Sequence, residues 1–285
     1  MQRPRSATPS RRTTSRREDK LSPLTFPPPV IRTTSLCKNF GDLRAVDCLD
    51  LDIRQGEFFA FLGPNAAGKT TTIKMLAGLL KPTSGSVIVG GFDIQREPEK
   101  AKAQLAYVPD FPFLYDKLTA GEFMQFVGDI FRMDRAVTVA RTGELFETFH
   151  LADSFHELTE NLSHGTRQRL VIASALLHDP KILVIDEPMV GLDPRHARIV
   201  KEVFKARADA GMTIFLSTHQ LSVAEEVADR IGIINNGRLI AVGTVDELRA
   251  RSEDKGGLEK VFLSLIDAED ALAGRGPDPH PPGVR

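Results

Sequence analysis

Two kinds of apolar pattern alternate along the chain. EFFAFL at 57–62, SVIVG at 86–90, LAYVP at 105–109, KILVID at 181–186 and MTIFLST at 212–218 are short, nearly unbroken apolar runs of strand length. Residues 32–37 and 49–53 read as two further strands flanking the turn NFGD. Runs that are apolar at successive positions mark strands buried on both faces, which predicts a mainly parallel sheet covered by helices. The covering helices fall between the runs: IKMLAGLL after the first, 170–178 before KILVID, and one on each side of 212–218. Residues 119–160 break the alternation, because Phe123, Phe126, Val127, Ile130 and Phe131 recur at helical spacing with no strand run among them. They read as an inserted helical subdomain, about 118–170. IGIINNGRLIAVG reads as a hairpin turning at Asn236-Gly237, a pair suited to positive φ. The fold class is α/β.

The ends of the chain follow another pattern. Residues 1–29 carry seven Lys/Arg against two Asp/Glu, while the whole chain has a net charge of −1. Arg, Ser, Thr and Pro without apolar periodicity bury too little surface to offset ordering entropy, so residues 1–30 are expected to be a disordered basic tail. An arm for anionic lipid or nucleic acid, a transit peptide and a later translation start compete with an inert tail here. Residues 256–285 are expected to form a closing helix, LEKVFLSL at 258–265, and a tail. The 285 residues, 41% apolar, suffice for a large core. No apolar run approaches the roughly 20 residues that cross a bilayer, and the polar N-terminus lacks a signal-peptide apolar region. The chain is expected to be soluble, or to sit on a membrane through a partner. Cys37 and Cys48, the only cysteines, form no CxxC pair and read as small buried or half-buried thiols in a reducing compartment.

Candidate chemistry gathers at the ends of the apolar runs. GPNAAGKTT at 63–71 fits G-x-x-x-x-G-K-[ST] after a strand and before a helix. In such a loop Gly63 and Gly68 let backbone N–H groups wrap a polyphosphate at the positive end of a helix. Pro64, Asn65, Ala66, Ala67 and Thr71 complete the wrap, Lys69 reaches the β/γ-phosphates, and Thr70 offers a hydroxyl to Mg²⁺. KILVID ends in Asp186, which can hold Mg²⁺, and Glu187 follows it, able to polarise an attacking water. A carboxylate pair at a strand end is by itself often a helix cap. His219 stands at the tip of 212–218 as a third polar group of that edge. NLSHGTRQRL at 161–170 has three readings: an ordinary helix start, a Ser–His pair, or an anion site.

Together these residues resemble the ATP-binding cassette family over about 31–265. The family's helix-opening motif is usually Leu-Ser-Gly-Gly-Gln, and here it reads Leu162-Ser163-His164-Gly165-Thr166. The resemblance implies a P-loop NTPase (RecA-like) core with an antiparallel β subdomain and an inserted α-helical subdomain, within a cassette domain of 31–255. It implies ATP and Mg²⁺ as cofactors, with Glu187, His219 and Lys69 catalytic and Thr70, Asp186 and Asp110 on the metal. Phe40 would stack on adenine. Ser163, Gly165 and the N–H groups of 164–166 would bind the γ-phosphate of ATP held by a second cassette, identical or different, with Asp193 of Gly191-Leu192-Asp193-Pro194 signalling across the dimer. A transmembrane permease on a separate chain is the implied partner, docked at Phe111–Glu122 and the helical insert, which places the protein on the inner face of the cell membrane. Nucleic acid is not an expected partner.

Three departures stand out. Ala66 replaces a frequent glycine, a mild change if its φ is negative. His164 and Thr166 replace Gly and Gln. Asp110 stands where a Gln normally meets Mg²⁺ and relays to the permease. The variant motif, Asp110 and the closing helix resemble exporters more than importers. The rival reading, a soluble cassette ATPase on ribosomes or nucleic acid, draws only on the basic tail, and a P-loop kinase leaves Ser163 unexplained.

Overall fold

A computed structural model describes residues 28–250 and 257–272. Residues 1–27 of the expected basic tail and the last residues of the chain lie outside them, while Val30, the last residue of that expected tail, is held by its N–H on the Ile53 carbonyl at 2.8 Å. The described chain opens on a long antiparallel pair, β1 (Ile31–Phe40) and β2 (Leu43–Ile53), followed by β3 (Phe58–Leu62) and α1 (Lys69–Leu76). Next come β4 (Ser84–Val89), the short β5 (Phe92–Asp93), α2 (Pro98–Lys102) and β6 (Leu105–Val108). Helices α3 (Ala120–Ile130) and α4 (Arg135–Thr148) and two short 3₁₀ turns separate β6 from α5 (His164–Leu176). The remainder is β7 (Ile182–Asp186), α6 (Pro194–Asp209), β8 (Thr213–Thr218), α7 (Leu221–Val227), β9 (Arg230–Asn235), β10 (Arg238–Gly243), α8 (Val245–Arg249) and α9 (Leu258–Leu272).

These strands form two sheets. The order β10-β9-β3-β8-β7-β6 is parallel except for β10, which returns antiparallel through Asn236 (φ 47°) and Gly237 (φ 79°). The order β2-β1-β4-β5 is antiparallel. Every residue of β3, β7 and β8 is buried, which is why these strands read as unbroken apolar runs. Phe58 and Leu183 face a core shared with α3 to α6, while Phe59, Phe61 and Phe215 face the antiparallel sheet and α1. Phe215 lies 5.7 Å from Phe59 and 5.3 Å from Phe61, ring centre to ring centre. Truncating a ring packed this way costs about 3–5 kcal/mol.

Local chemistry sets the helix ends. Thr119 with Glu122 and Thr244 with Glu247 form capping boxes, and Asp134 and Asp193 cap α4 and α6. Helix α1 starts four residues before the expected IKMLAGLL and stops short of its end. Gly78 stops it at φ 65°, where an added Cβ would stand 2.8 Å from Ile94. β1 and β2 outrun the expected 32–37 and 49–53 because bulges at Ser35 and Cys48 break the two-residue period. Among the described residues no helix is long and apolar enough to cross a membrane.

Candidate active site

Parallel pairing brings the candidate residues to one edge. Leu62 is in register with Thr218, and Asp186 with Ser217, so the residues that follow these strands emerge together. The loop after β3 closes tightly. An added Cβ would lie 2.4 Å from the Ile234 carbonyl at Gly63 and 2.5 Å from the Ala45 carbonyl at Gly68, whose φ is 104°. Only glycine fits either place. Ala67, buried within the loop, accepts from the Gly237 N–H at 2.9 Å, tying the loop to the β9–β10 turn. No acidic residue and no side-chain cap occupies the first turn of α1, which leaves its N–H groups open to an anion.

Lys69 is almost fully buried. Its Nζ donates to the carbonyls of Gly63 (2.8 Å) and Pro64 (3.0 Å) and stands 3.8 Å from Glu187 Oε1. Burial lowers its pKa, and Glu187 and Asp186 oppose that shift. Asp186 is fully buried, and neither carboxylate oxygen has a hydrogen-bond partner. Burial raises its pKa against the hydroxyls of Thr70 and Ser217, with Asp110 and Glu187 adding to the rise. A desolvated carboxylate whose burial only two nearby hydroxyls offset is costly unless a cation meets it, so Asp186 and Thr70 fit a hard divalent ion. Partial burial, with Asp186 and Asp110 nearby, pushes Tyr107 above its ordinary value.

Glu187 takes φ 48°, a left-handed backbone that costs a non-glycine residue about 1–2 kcal/mol. Its N–H donates to Ser217 O at 3.0 Å. Its Oε1 meets His219 Nδ1 at 2.8 Å, and its Oε2 accepts from Thr218 Oγ1 at 3.2 Å. Thr218 is a site residue that the sequence reading missed; its signal was the polar run Ser217-Thr218-His219 ending an apolar strand. A cleft of about 400 Å³ opens here. Phe40, Asn65, Ala66, Gly68, Lys69, Thr70, Thr71, Asp110 and Glu187 all line it. Phe40 is 50% exposed, with Lys38 Nζ 5.1 Å from its ring centre. Asp110 is exposed and accepts from the Phe111 N–H at 2.9 Å.

Ser163, Gly165 and Asp193 do not line this cleft. Ser163 caps α5, its Oγ accepting from the Thr166 N–H at 3.2 Å and meeting Thr166 Oγ1 at 2.9 Å. Arg169 reaches the same hydroxyl at 3.2 Å and also donates to the His150 carbonyl. The His164 ring packs on Gly191, where an added Cβ would be 2.3 Å away. His164 therefore faces the 191–194 loop and forms no Ser–His pair. Asp193 caps α6, and His196 holds its carboxyl below the ordinary range.

Two expectations need correcting. Ala66 has φ 63°, not the negative value that would make the loss of glycine mild. Ala66→Gly is therefore expected to gain about 1 kcal/mol and to raise Tm by roughly 2–4 °C. Scanning calorimetry checks this, and an unchanged or lower Tm would count against strain at this position. Cys48 is exposed rather than buried or half-buried.

A glycine-walled loop ahead of a helix, a buried lysine and an acidic strand end define a P-loop ATPase. Residues 46–190 match the family model described as ABC transporter. The chain is 39% identical over 245 residues to the daunorubicin/doxorubicin resistance ATP-binding protein DrrA of Streptomyces peucetius, covering 86% of this chain and 73% of that one. It is 36% identical over 222 residues to the linearmycin resistance ATP-binding protein LnrL of Bacillus subtilis, covering 78% and 71%. A dimeric ATP-binding cassette solved in a post-hydrolysis state with ADP and Pi superposes with a TM-score of 0.70 at 25% identity, covering 75% of this chain and 98% of that one. The chain belongs to the ABC transporter family, as an ATP-binding and ATP-hydrolysing subunit.

Proposed function

We propose that this subunit drives a separate transmembrane permease in export, closing as a dimer over two ATP molecules and opening on hydrolysis. The observation that carries this reading is the separation within one chain. The phosphate cradle and Glu187, which His219 meets at 2.8 Å, share a cleft, while the anion-binding start of α5 lies outside it. A helix N-terminus capped by an exposed serine, with no acidic residue in its first turn, suits the γ-phosphate of ATP held by a partner cassette. The names of the resistance proteins DrrA and LnrL support export.

In the closed dimer each chain supplies named parts. Phe40 stacks on adenine, and Gly63 to Thr71 wrap the phosphates, with Lys69 leaving its two carbonyls for phosphate oxygens. Glu187 Oε1 or Oε2 accepts a proton from the attacking water, and His219 contacts the γ-phosphate from the exposed edge of the cleft. Magnesium, when bound, neutralises phosphate charge, and Thr70, Asp186 and Asp110 are the residues that would hold it. Thr218 keeps the Glu187 carboxylate in place.

For the permease surface, Phe111, Phe113 and Tyr115 are 67%, 75% and 52% exposed in a row that continues onto Phe126 of α3. An apolar cleft of about 280 Å³ also opens on α3, lined in part by Leu79, Tyr107, Val127, Phe131 and His178. His178 stacks on Phe131 at 3.6 Å, and burial lowers its pKa to about 4, so the ring it offers a partner is neutral. These surfaces support docking of apolar cytoplasmic loops. Purified in detergent from its own membranes, the protein is expected to carry a chain of about six apolar spans. Phe111→Ala with Phe113→Ala is expected to cut that recovery about tenfold and leave the ATPase rate of the isolated cassette within about twofold. Recovery at the parental level would remove this row from the interface. The soluble reading on ribosomes or nucleic acid is less well supported, since its one argument rests on residues outside those described.

A further inference from the structure

Cys37 and Cys48 belong to no part of the site above, yet they face each other across β1 and β2 with their sulfurs 3.5 Å apart. Leu36 pairs with Leu49 and Lys38 with Val46, so Cys37 alone opposes both Asp47 and Cys48. That bulge turns Cys48 to φ 48° and aims its N–H at Cys37 Sγ, 3.3 Å away. Cys37 is half-buried and Cys48 exposed. Ser84 on β4, then the Cys48 amide and thiol, hold the Cys37 thiol below its ordinary pKa. The same contact pushes Cys48 up, first through its hydrogen bond and then through charge. A thiol biased toward thiolate beside a protonated, exposed partner is the arrangement of a peroxide-reactive cysteine with its resolving thiol.

We propose that Cys37 and Cys48 form a dithiol site for small peroxides that closes to a cross-strand disulfide and weakens nucleotide binding in the adjoining cleft. The Cys37 thiolate attacks one peroxide oxygen. A sulfur–oxygen bond forms, the O–O bond breaks, and the departing hydroxide takes a proton to become water. The Cys48 sulfur, giving up its proton, attacks the sulfenic sulfur, and the disulfide forms as a second water leaves. The two thiols lose two electrons, and hydrogen peroxide accepts them to become two waters.

Asp47 brings a carboxylate oxygen within 4.8 Å of both sulfurs, which raises a thiophilic cation as the other occupant. That carboxylate is already taken by Arg44 and Arg238, each at 2.8 Å. A cation would have to displace a guanidinium and sit beside two positive charges, whereas the disulfide displaces nothing.

The coupling follows from what each strand carries. Three residues beyond Cys37, Phe40 lines the cleft. Next to Cys48, the Asp47 N–H donates to Gly237 O at 2.9 Å, and the Gly237 N–H donates to Ala67 O in the phosphate loop at 2.9 Å. The disulfide therefore joins the strand bearing Phe40 to the strand held on the cradle. Drawing the sulfurs to about 2 Å shifts one against the other. This last step rests on the proposed stacking of adenine on Phe40; the dithiol itself does not.

The test uses the full-length chain, first reduced, then exposed to excess hydrogen peroxide, then treated with dithiothreitol. Non-reducing digestion with trypsin is expected to yield peptides 33–38 and 45–54 joined, about 2 Da lighter than the reduced pair. Titration with a fluorescent ATP analogue is expected to give a Kd raised about threefold or more, restored by dithiothreitol and unmoved by peroxide in Cys37→Ser and Cys48→Ser. Separate oxidation of the two thiols, a link between chains, or a retained zinc ion that shields the pair overturns the site. A joined pair with an unchanged Kd overturns the coupling. Phe40→Ala then locates the fault: if it too leaves Kd unchanged, the stacking reading fails along with the coupling, and the dithiol stands.

Discussion

Glu187→Gln is expected to lower ATP hydrolysis by about 10²- to 10⁴-fold, the range for removing a positioned general base. The substitution keeps the shape of the side chain. The amide oxygen still accepts from Thr218, and the αL backbone at 187 tolerates Gln as it does Glu, so the fold is expected to hold. What disappears is the proposed proton acceptor, and with it a negative charge beside the expected position of the γ-phosphate. Binding of ATP is therefore expected to persist or tighten. With hydrolysis blocked, the closed dimer accumulates on ATP and not on ADP. Phosphate release measures the first effect, and size-exclusion chromatography with each nucleotide measures the second. Hydrolysis at the parental rate would remove Glu187 from the role of base and leave His219, 46% exposed beside it, as the next candidate.

The same edge shows which features a sequence exposes. β3, β7 and β8 were legible because both faces of each strand are buried, which leaves an apolar run no other reading. Asp186, Glu187 and His219 were legible because they end or directly follow such runs, and Lys69 because it belongs to the G-x-x-x-x-G-K-[ST] motif that follows one. The outer halves of β1 and β2 were not, since they are largely exposed and bulged, and no periodicity marks them. β5 and α2 were invisible for their brevity, at two and five residues. No local pattern gives the φ of Ala66, whose neighbours Ala67 and Gly68 are met by distant residues, the Gly237 N–H and the Ala45 carbonyl. The Cys37–Cys48 contact depends on one extra residue in β2, and a sequence spacing of eleven says nothing about it. Thr218 lay hidden because a buried threonine inside a strand looks like any other β-branched residue.

The second large effect concerns assembly, and it separates a shared site from a self-contained one. Lys69→Ala removes the ammonium of the cradle. Ser163→Glu places a carboxylate at the N-terminus of α5, where a phosphate oxygen is proposed to sit. Each change alone is expected to cut hydrolysis about 100-fold or more, through lost or opposed charge stabilisation. In a homodimer with composite sites, pairing the two mutant chains leaves one site damaged twice and the other intact. The intact site takes its cradle from the Ser163→Glu chain and its α5 from the Lys69→Ala chain. Random mixing makes about half the dimers mixed, with one working site in each, so the mixture is expected to recover about a quarter of the parental rate. If Ser163 served the cradle of its own chain, every site in every dimer would be broken and mixing would restore nothing. Because both parents are nearly inactive, recovery above either one can come only from a site built across two chains.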